Sequence, residues 1–190
     1  MDDPVRRKDR DVSDDDAWIE AFLARAATGV LAVAADARPQ LNANLFVYEP
    51  GTRAIYVHTA RHGATRRGAE AEEHASFACF EMGRILPARR AIGFSVEYAS
   101  VIAHGRLAII EGPEASHALR RFMEKYAPHL EYGKDYDGVT EADLARTSVY
   151  RLAVEEWRAK RNAKPRDEPG AYPYGGPYPP PGPVADTENP

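Results

Sequence analysis

The chain has 190 residues, of which 44% are hydrophobic and 28% charged, so one domain with a sizeable core is expected. Its formal net charge of −4 predicts no field that recruits nucleic acid or an anionic membrane. No apolar run has membrane-spanning length and the first residues lack a signal-peptide pattern, so a soluble cytoplasmic protein is expected. One cysteine, Cys79, excludes an internal disulfide, and no Cys/His spacing predicts a metal site.

The first third of the chain predicts a helix followed by two strands. Residues 1–14 are a polar lead-in, after which Ser13 is predicted as the N-cap of a helix that continues to about residue 26. Residues 30–34 predict a strand, and residues 40–48 alternate as a second strand paired back on the first. Asn42 and Asn44 share one face of it, which suits either the polar edge of a ring or a solvated sheet surface.

The stretch 55–86 carries the functional signal. Residues 55–58 predict a strand, residues 59–63 a loop, residues 65–73 a short helix and residues 75–80 another strand. The loop combines hydroxyl, guanidinium and imidazole groups with a glycine. Between a strand and a helix start, such a loop suits a phosphate, because backbone N–H groups and the helix dipole favour an anion there. An ordinary solvated connection is the alternative.

The remaining segments predict more strands, two helices and a tail. Residues 81–90 predict a loop, and residues 94–110 predict a long strand with a kink or bulge at 104–106, where the glycine indicates a bulge or a close backbone approach. Residues 115–126 predict a helix, Thr140 caps a helix over 141–146 with Asp143 in a capping box, and residues 148–157 predict the last strand. Residues 163–190, rich in proline, glycine and tyrosine, predict a disordered tail. The folded domain is therefore expected over residues 15–162.

Six or seven short strands joined by tight turns predict a mainly β fold with flanking helices. There is no βαβ alternation and no GxGxxG motif, which argues against a dinucleotide-binding parallel sheet.

The segments IYVHTARHGATR, FACFEMGRILPA and FSVEYASVIAHGRLAII, in this order, resemble the FMN-binding split β-barrel of the pyridoxamine 5′-phosphate oxidase-like superfamily. The nitroimidazole-resistance branch is the most similar, and the resemblance covers roughly residues 6–162. It implies a six-stranded split barrel, a homodimer, and FMN bound at the subunit interface.

The resemblance also implies which residues contact the cofactor. The isoalloxazine ring would lie on Asn42, Ala43, Asn44 and Leu45. The ring and ribityl chain would be bordered by His58, Thr59 and Ala60. The phosphate would be held by Arg61, Gly63, Thr65 and Arg66. Further contacts would come from Ser100 of the partner subunit and from Trp157, Lys160 and Arg161 after the last strand.

One position departs from the family pattern. Related chains commonly carry a basic residue directly after the loop glycine, where this chain has Ala64. The phosphate would then depend on Arg61, Arg66 and Arg67, whose guanidinium groups bind phosphate well. The RQVR-type strand of true pyridoxamine phosphate oxidases is replaced by Ala-Ser-Val-Ile at 99–102, so vitamin B6 oxidation is not predicted.

The resulting hypothesis is an FMN-dependent oxidoreductase that passes electrons from a nicotinamide donor to a small electrophile such as a nitro compound or quinone. His58 is the catalytic candidate, as a proton donor or substrate-orienting group, although a histidine bonded to backbone at a strand end is an equal alternative. The other hypotheses are a split barrel that binds haem through His58 or His104, one that binds a deazaflavin, and a non-catalytic flavin-binding module.

Overall fold

The computed structural model describes residues 12–13, 15–35, 38–71 and 73–176. It divides the chain into two compact units. The larger unit comprises Asp15–Cys79 and Val101–Trp157, and the smaller unit includes Phe80–Ser100 and the segment that begins at Arg158.

The described residues form nine strands and four α-helices. In chain order they are β1 (Val12–Ser13), α1 (Asp16–Arg25), β2 (Gly29–Ala35), β3 (Arg38–Asn44), β4 (Val47–Glu49), β5 (Ala54–Ala60), α2 (Ala64–Ala71), β6 (His74–Leu86), β7 (Ser95–Ile110), α3 (Gly112–Tyr126), α4 (Glu141–Arg146), β8 (Thr147–Asn162) and β9 (Tyr172–Pro173). The hydrogen-bonded order is β3-β2-β6-β7-β8-β5-β4, with β1 beside β8 and β9 beside β6. The registered pairs are antiparallel, so the prediction of a mainly β fold with flanking helices is confirmed.

The N-cap of α1 is Asp15, not Ser13 as the sequence predicted. The Asp15 carboxylate accepts a hydrogen bond from the backbone N–H of Trp18 at 3.1 Å. Ser13 lies in β1, where it pairs with Ala159. Ser13 and Asp15 are both favourable N-cap residues, but the backbone of Ser13 is paired in β1, so Asp15 caps the helix.

The predicted second strand, residues 40–48, is divided into two strands at opposite edges of the sheet order. β3 pairs with β2, as predicted for the hairpin, whereas β4 pairs with β5. Only Leu45 and Phe46 join them. The Phe46 side chain is fully buried, and its backbone N–H donates to the Tyr126 hydroxyl at 3.0 Å while its carbonyl accepts from Lys125 Nζ at 2.9 Å.

The predicted loop 81–90 is wrong for residues 81–86, which continue β6. Glycine and arginine made this segment resemble a loop, but both make contacts with the neighbouring part of β7. A Cβ at position 83 would meet the Glu97 side chain, and the Arg84 guanidinium donates two hydrogen bonds to the Glu97 carboxylate at 2.7 and 2.8 Å. The glycine and the arginine that gave this segment a loop-like composition therefore serve the contact with Glu97 within the smaller unit.

Part of the tail that was predicted to be disordered has fixed contacts. β9 pairs with Arg84 and Ile85 of β6, and the Arg84 guanidinium donates to the carbonyls of Pro165 and Arg166, each at 2.8 Å. Residues 177–190 lie outside the described residues, as does most of the predicted polar lead-in. The capping box predicted for Thr140 and Asp143 is confirmed at the start of α4.

The strand β7 continues through Gly105 without a break. At the predicted kink or bulge, the glycine marks a close approach of two backbones. A Cβ at position 105 would lie inside contact distance of the Ala153 carbonyl on β8. Glycine is therefore required here by the distance between two backbones.

Replacing Gly105 by alanine is expected to lower the free energy of unfolding by about 1–3 kcal/mol, because the new methyl group forces two paired strands apart. Urea unfolding of the full chain measures it. Gly51→Ala is the matched control, since no atom lies within 4 Å of a Cβ at that exposed position. Equal effects of the two substitutions would contradict the close approach of β7 and β8.

Burial lowers the pKa of Lys125 to about 8 from its ordinary 10.5, so the free energy of unfolding should rise as the pH increases through this interval. In the interval the unfolded chain holds the proton while the folded chain releases it, and deprotonation removes a penalty from the folded state. We expect a gain of about 1–2 kcal/mol, less than the full shift because the side chain is only half-buried.

The measurement is urea unfolding at pH 7.5, 8.5 and 9.5 for the wild type and for Lys125→Met, which keeps the length of the side chain and removes the titration. The difference between the two pH profiles cancels the contribution of the tyrosines. Parallel profiles would show that the ammonium group is not desolvated in the folded protein.

Candidate functional site

The loop after β5 is held by hydrogen bonds to the end of α4 and the start of β8. The pairing of β5 with β8 extends to Ala60 opposite Thr147, and the backbone N–H of Arg61 then donates to the Arg146 carbonyl at 3.0 Å. The Thr59 hydroxyl lies 3.0 Å from the hydroxyl of Tyr150, which is fully buried. Gly63, with φ 152°, makes the turn into α2 in a conformation that a side chain would strain.

Arg66, in the first turn of α2, is held back onto this loop. Its Nη1 donates to the Ser148 hydroxyl at 3.0 Å, and Ser148 donates in turn to the Arg61 carbonyl at 3.1 Å. Its Nε donates to Glu70, one turn further along α2, at 2.7 Å. The Ser148 side chain is buried. Two of the arginines predicted to hold phosphate are therefore joined through one buried hydroxyl.

The sequence reading missed Ser148, Glu70 and Tyr150. Ser148 was read only as the start of the last strand, and it lies 82 positions from the arginine that it binds. The one available signal was a small polar residue at the start of a strand whose next residues, Val149 and Tyr150, are hydrophobic.

Arg61 faces a second environment. Its guanidinium lies 3.6 Å from the Glu111 carboxylate, at the side of a cavity of about 250 Å³ that Leu144 and Val149 also line. Arg61 is thus paired with Glu111 and Arg66 with Glu70, so the positive charge of both arginines is partly compensated.

The predicted ring-binding strand β3 meets the predicted phosphate loop at its polar face. Asn42 Nδ2 donates to the Thr65 hydroxyl at 2.9 Å, and Asn44 Nδ2 donates to the Asn42 carbonyl at 3.1 Å. Ala43 and Leu45 are exposed. The structure therefore brings together two groups of residues that were predicted separately, on β3 and at the start of α2.

His58 lies on the side of β5 that faces α3. Its ring packs edge-on against Phe122, with ring centroids 4.6 Å apart. Burial lowers its pKa, so the imidazole is neutral at pH 7. Its Nδ1 is buried and has no hydrogen-bond partner in the described part of the chain, so no bond from this atom to backbone supports the purely structural alternative.

Three predicted contacts are not brought to the loop by any described interaction. Trp157 Nε1 donates to Asp16 at 3.0 Å, and its ring lies 4.0 Å from the Arg53 guanidinium carbon. Ser100 and Lys160 belong to the smaller unit, half-buried and exposed respectively. Their roles toward a cofactor stay predictions.

A larger cavity, of about 810 Å³, is lined by residues of the larger unit. Small side chains from β2, including Ala32 and Ala34, line it together with His104 of β7 and Arg38 at the start of β3. The Ser76 hydroxyl is 2.7 Å from His104 Nδ1. That hydrogen bond occupies one ring nitrogen of His104 and leaves Nε2 for the cavity.

Two absences hold for residues 15–35, 38–71 and 73–176. They contain no group of three or more His, Cys, Asp or Glu side chains suited to holding a metal ion. They also contain no helix that is long and apolar enough to cross a membrane.

Comparison with known proteins gives a match to the fold over nearly the whole chain. The flavocytochrome Anf3 from Azotobacter vinelandii superposes with a TM-score of 0.76 at 20% identity, covering 94% of this chain and 86% of that one. An FAD and haem binding protein from Mycobacterium smegmatis gives 0.69 at 20% identity, covering 95% and 94%. A candidate 5-nitroimidazole antibiotic resistance protein from Bacteroides thetaiotaomicron gives 0.64 at 18% identity, covering 78% and 85%.

These identities establish a shared fold and nothing further, and the search of curated proteins finds no match to this chain. The family model described as pyridoxamine 5′-phosphate oxidase, however, matches residues 15–161. That range contains β2 to β8 complete but for the last residue of β8, including the loop and the buried hydroxyl that joins its arginines. The split-barrel prediction is thereby confirmed, and the chain belongs to the pyridoxamine 5′-phosphate oxidase family.

Proposed function

We propose that this chain binds FMN and acts as a cytoplasmic oxidoreductase that passes electrons from a nicotinamide donor to a small electrophile of the nitro or quinone type. The observation that carries the proposal is the cradle at the start of α2, where Arg61 and Arg66 are joined through Ser148. Membership of the family supports a flavin, and so do structural neighbours described as flavocytochrome and FAD binding proteins.

The residues present fit a flavin phosphate. The N-terminal turn of α2 offers backbone N–H groups and the positive end of the helix dipole, and Gly63 lets the chain approach the ligand closely. Arg66 is 18% exposed, so its guanidinium remains reachable from solvent. Asn42 and Thr65, already bonded to each other, would present polar groups beside the ribityl chain.

When bound, the flavin would supply the electron transfer itself. The chain's own residues would bind and orient it. The half-buried His58 would contact a substrate through Nε2, because its Nδ1 is buried, and its lowered pKa means that it carries no charge at pH 7. Among the predicted site residues it is the one side chain whose ordinary pKa lies near neutral pH.

A homodimer is part of the proposal. The larger unit exposes Leu41, Leu45 and Ile102 and the smaller unit exposes Phe80 and Met82, between 44% and 73% of each side chain. Burial of these side chains between two subunits would remove apolar surface from water. Ser100 would then reach the cofactor bound by the partner subunit, and Trp157 and Lys160 would supply an aromatic and a basic contact near the cofactor.

Haem is a second candidate ligand, favoured by the cavity that His104 lines. Its volume of about 810 Å³ is within the ~300–1,000 Å³ range of ligand pockets. His104 would bind the iron through Nε2, while the Ser76 hydroxyl at Nδ1 would fix the orientation of the ring. Two structural neighbours are described as a flavocytochrome and as an FAD and haem binding protein.

The test is the visible absorption spectrum of purified full-length protein, recorded after incubation with excess FMN and desalting. Two retained flavin bands are expected, and Arg66→Ala should weaken FMN binding about tenfold or more, because a bond from a charged donor to phosphate is lost. Arg120→Ala is the matched control, since Arg120 also pairs with a glutamate four residues along a helix.

A Soret band that disappears in His104→Ala would establish the second candidate. A protein that retains neither chromophore after reconstitution would overturn both.

A further inference from the structure

We propose that Ser148 is a positioning residue that orients Arg66 toward a phosphate monoester, and that it thereby compensates for the missing basic residue at Ala64. The inference rests on the proposed flavin function and deepens it, because it names the group that the cradle recognises and the residue that sets the selectivity.

The direction of the hydrogen bonds defines the role of Ser148. Its hydroxyl donates its single proton to the Arg61 carbonyl at 3.1 Å, so the oxygen can only accept from Arg66 Nη1, at 3.0 Å. One buried oxygen therefore fixes both the backbone of the loop and the plane of the guanidinium group. The Ser148 side chain is 1% exposed, which excludes water from competing for either bond.

The contact of Arg66 with Glu70 leaves one guanidinium nitrogen, Nη2, for a ligand. Nε donates to Glu70 at 2.7 Å, so Nε and Nη1 are both engaged. Within the described part of the chain no hydrogen bond uses Nη2. A guanidinium held at two nitrogens has little side-chain freedom left to lose on binding, which is how preorganisation raises affinity.

The register of the sheet decides that Ser148 can do this. β5 and β8 pair with Thr59 opposite Ser148 and Ala60 opposite Thr147, so Ser148 lies beside the point where the chain leaves β5. A shift of one residue would turn the Ser148 side chain to the other face of the sheet. The alternative at the loop itself, a basic side chain at position 64, is absent from this sequence.

The phosphate contribution is isolated by comparing FMN with riboflavin, which has the same ring and ribityl chain but no phosphate. We would measure dissociation constants of both flavins for the full-length protein by fluorescence quenching. The variants are Ser148→Ala, Ser148→Cys, which keeps the volume but makes a weak acceptor, and Ser148→Thr, which keeps the hydroxyl. Ser116→Ala on α3 is the control.

The wild type is expected to bind FMN more tightly than riboflavin. Ser148→Ala and Ser148→Cys should lower that preference about tenfold by weakening FMN alone, the usual effect of losing a hydrogen bond to a charged group. Ser148→Thr should restore most of the preference, and Ser116→Ala should leave it unchanged. A purely structural role would instead weaken both flavins equally together with thermal stability.

Three results would overturn the inference. An unchanged preference in Ser148→Ala and Ser148→Cys shows that Arg66 needs no orientation. Equal wild-type affinities for FMN and riboflavin show that the cradle does not engage the phosphate, while flavin binding itself stands. Retention of neither flavin by the wild type removes the proposed function, and this inference with it.

Discussion

The two-residue connection from β3 to β4 is the constraint on which the rest of the larger unit depends. β3 and β4 are the two ends of the strand order, yet only Leu45 and Phe46 separate them along the chain. Three Cα–Cα steps place Val47 within about 11 Å of Asn44, so the end of β3 and the start of β4 must lie close together. Phe46 then has a backbone N–H and carbonyl that no strand pairing uses, in a residue whose side chain is fully buried.

Helix α3 satisfies these groups. An unpaired buried polar group costs about 1–3 kcal/mol, and Tyr126 and Lys125 both reach Phe46 from the last turn of α3. The Lys125 ammonium also lies 3.9 Å from the centre of the Phe46 ring, a favourable position for a cation over an aromatic face. These bonds hold the last turn of α3 against the connection from β3 to β4, and α3 also packs Phe122 against His58.

The candidate site inherits its order from the same sheet. β5, next to the edge strand β4, pairs with β8 up to Ala60, the last residue before the loop, which leaves that loop little freedom. Ser148 and Tyr150 are two positions apart on β8, so both lie on the face that the loop approaches. The Ser148 hydroxyl bonds to Arg61 and Arg66, and the Tyr150 hydroxyl bonds to the Thr59 hydroxyl. Polar groups buried in such a position are stable only when each has a partner. The smaller unit likewise gives a polar side chain its partner. The hydrogen bonds from Arg84 lower the pKa of Glu97 to about 2 and keep its carboxylate ionised.

Local patterns in the sequence determined the strand character of β2, β5 and β8, the hairpin of β2 and β3, the apolar face of α3 and the capping box of α4. Each of these depends on residues a few positions apart, whose spacing is visible along the chain. Only the tertiary structure decided that residues 81–86 extend β6, that residues 40–48 serve both edges of the sheet, and that Ser148 joins Arg61 to Arg66. These features depend on partners from 13 to 87 positions away, as for Glu97 with Arg84 and Arg61 with Ser148. A strand's own sequence specifies which side chains alternate, but the neighbour that pairs with it specifies what they meet.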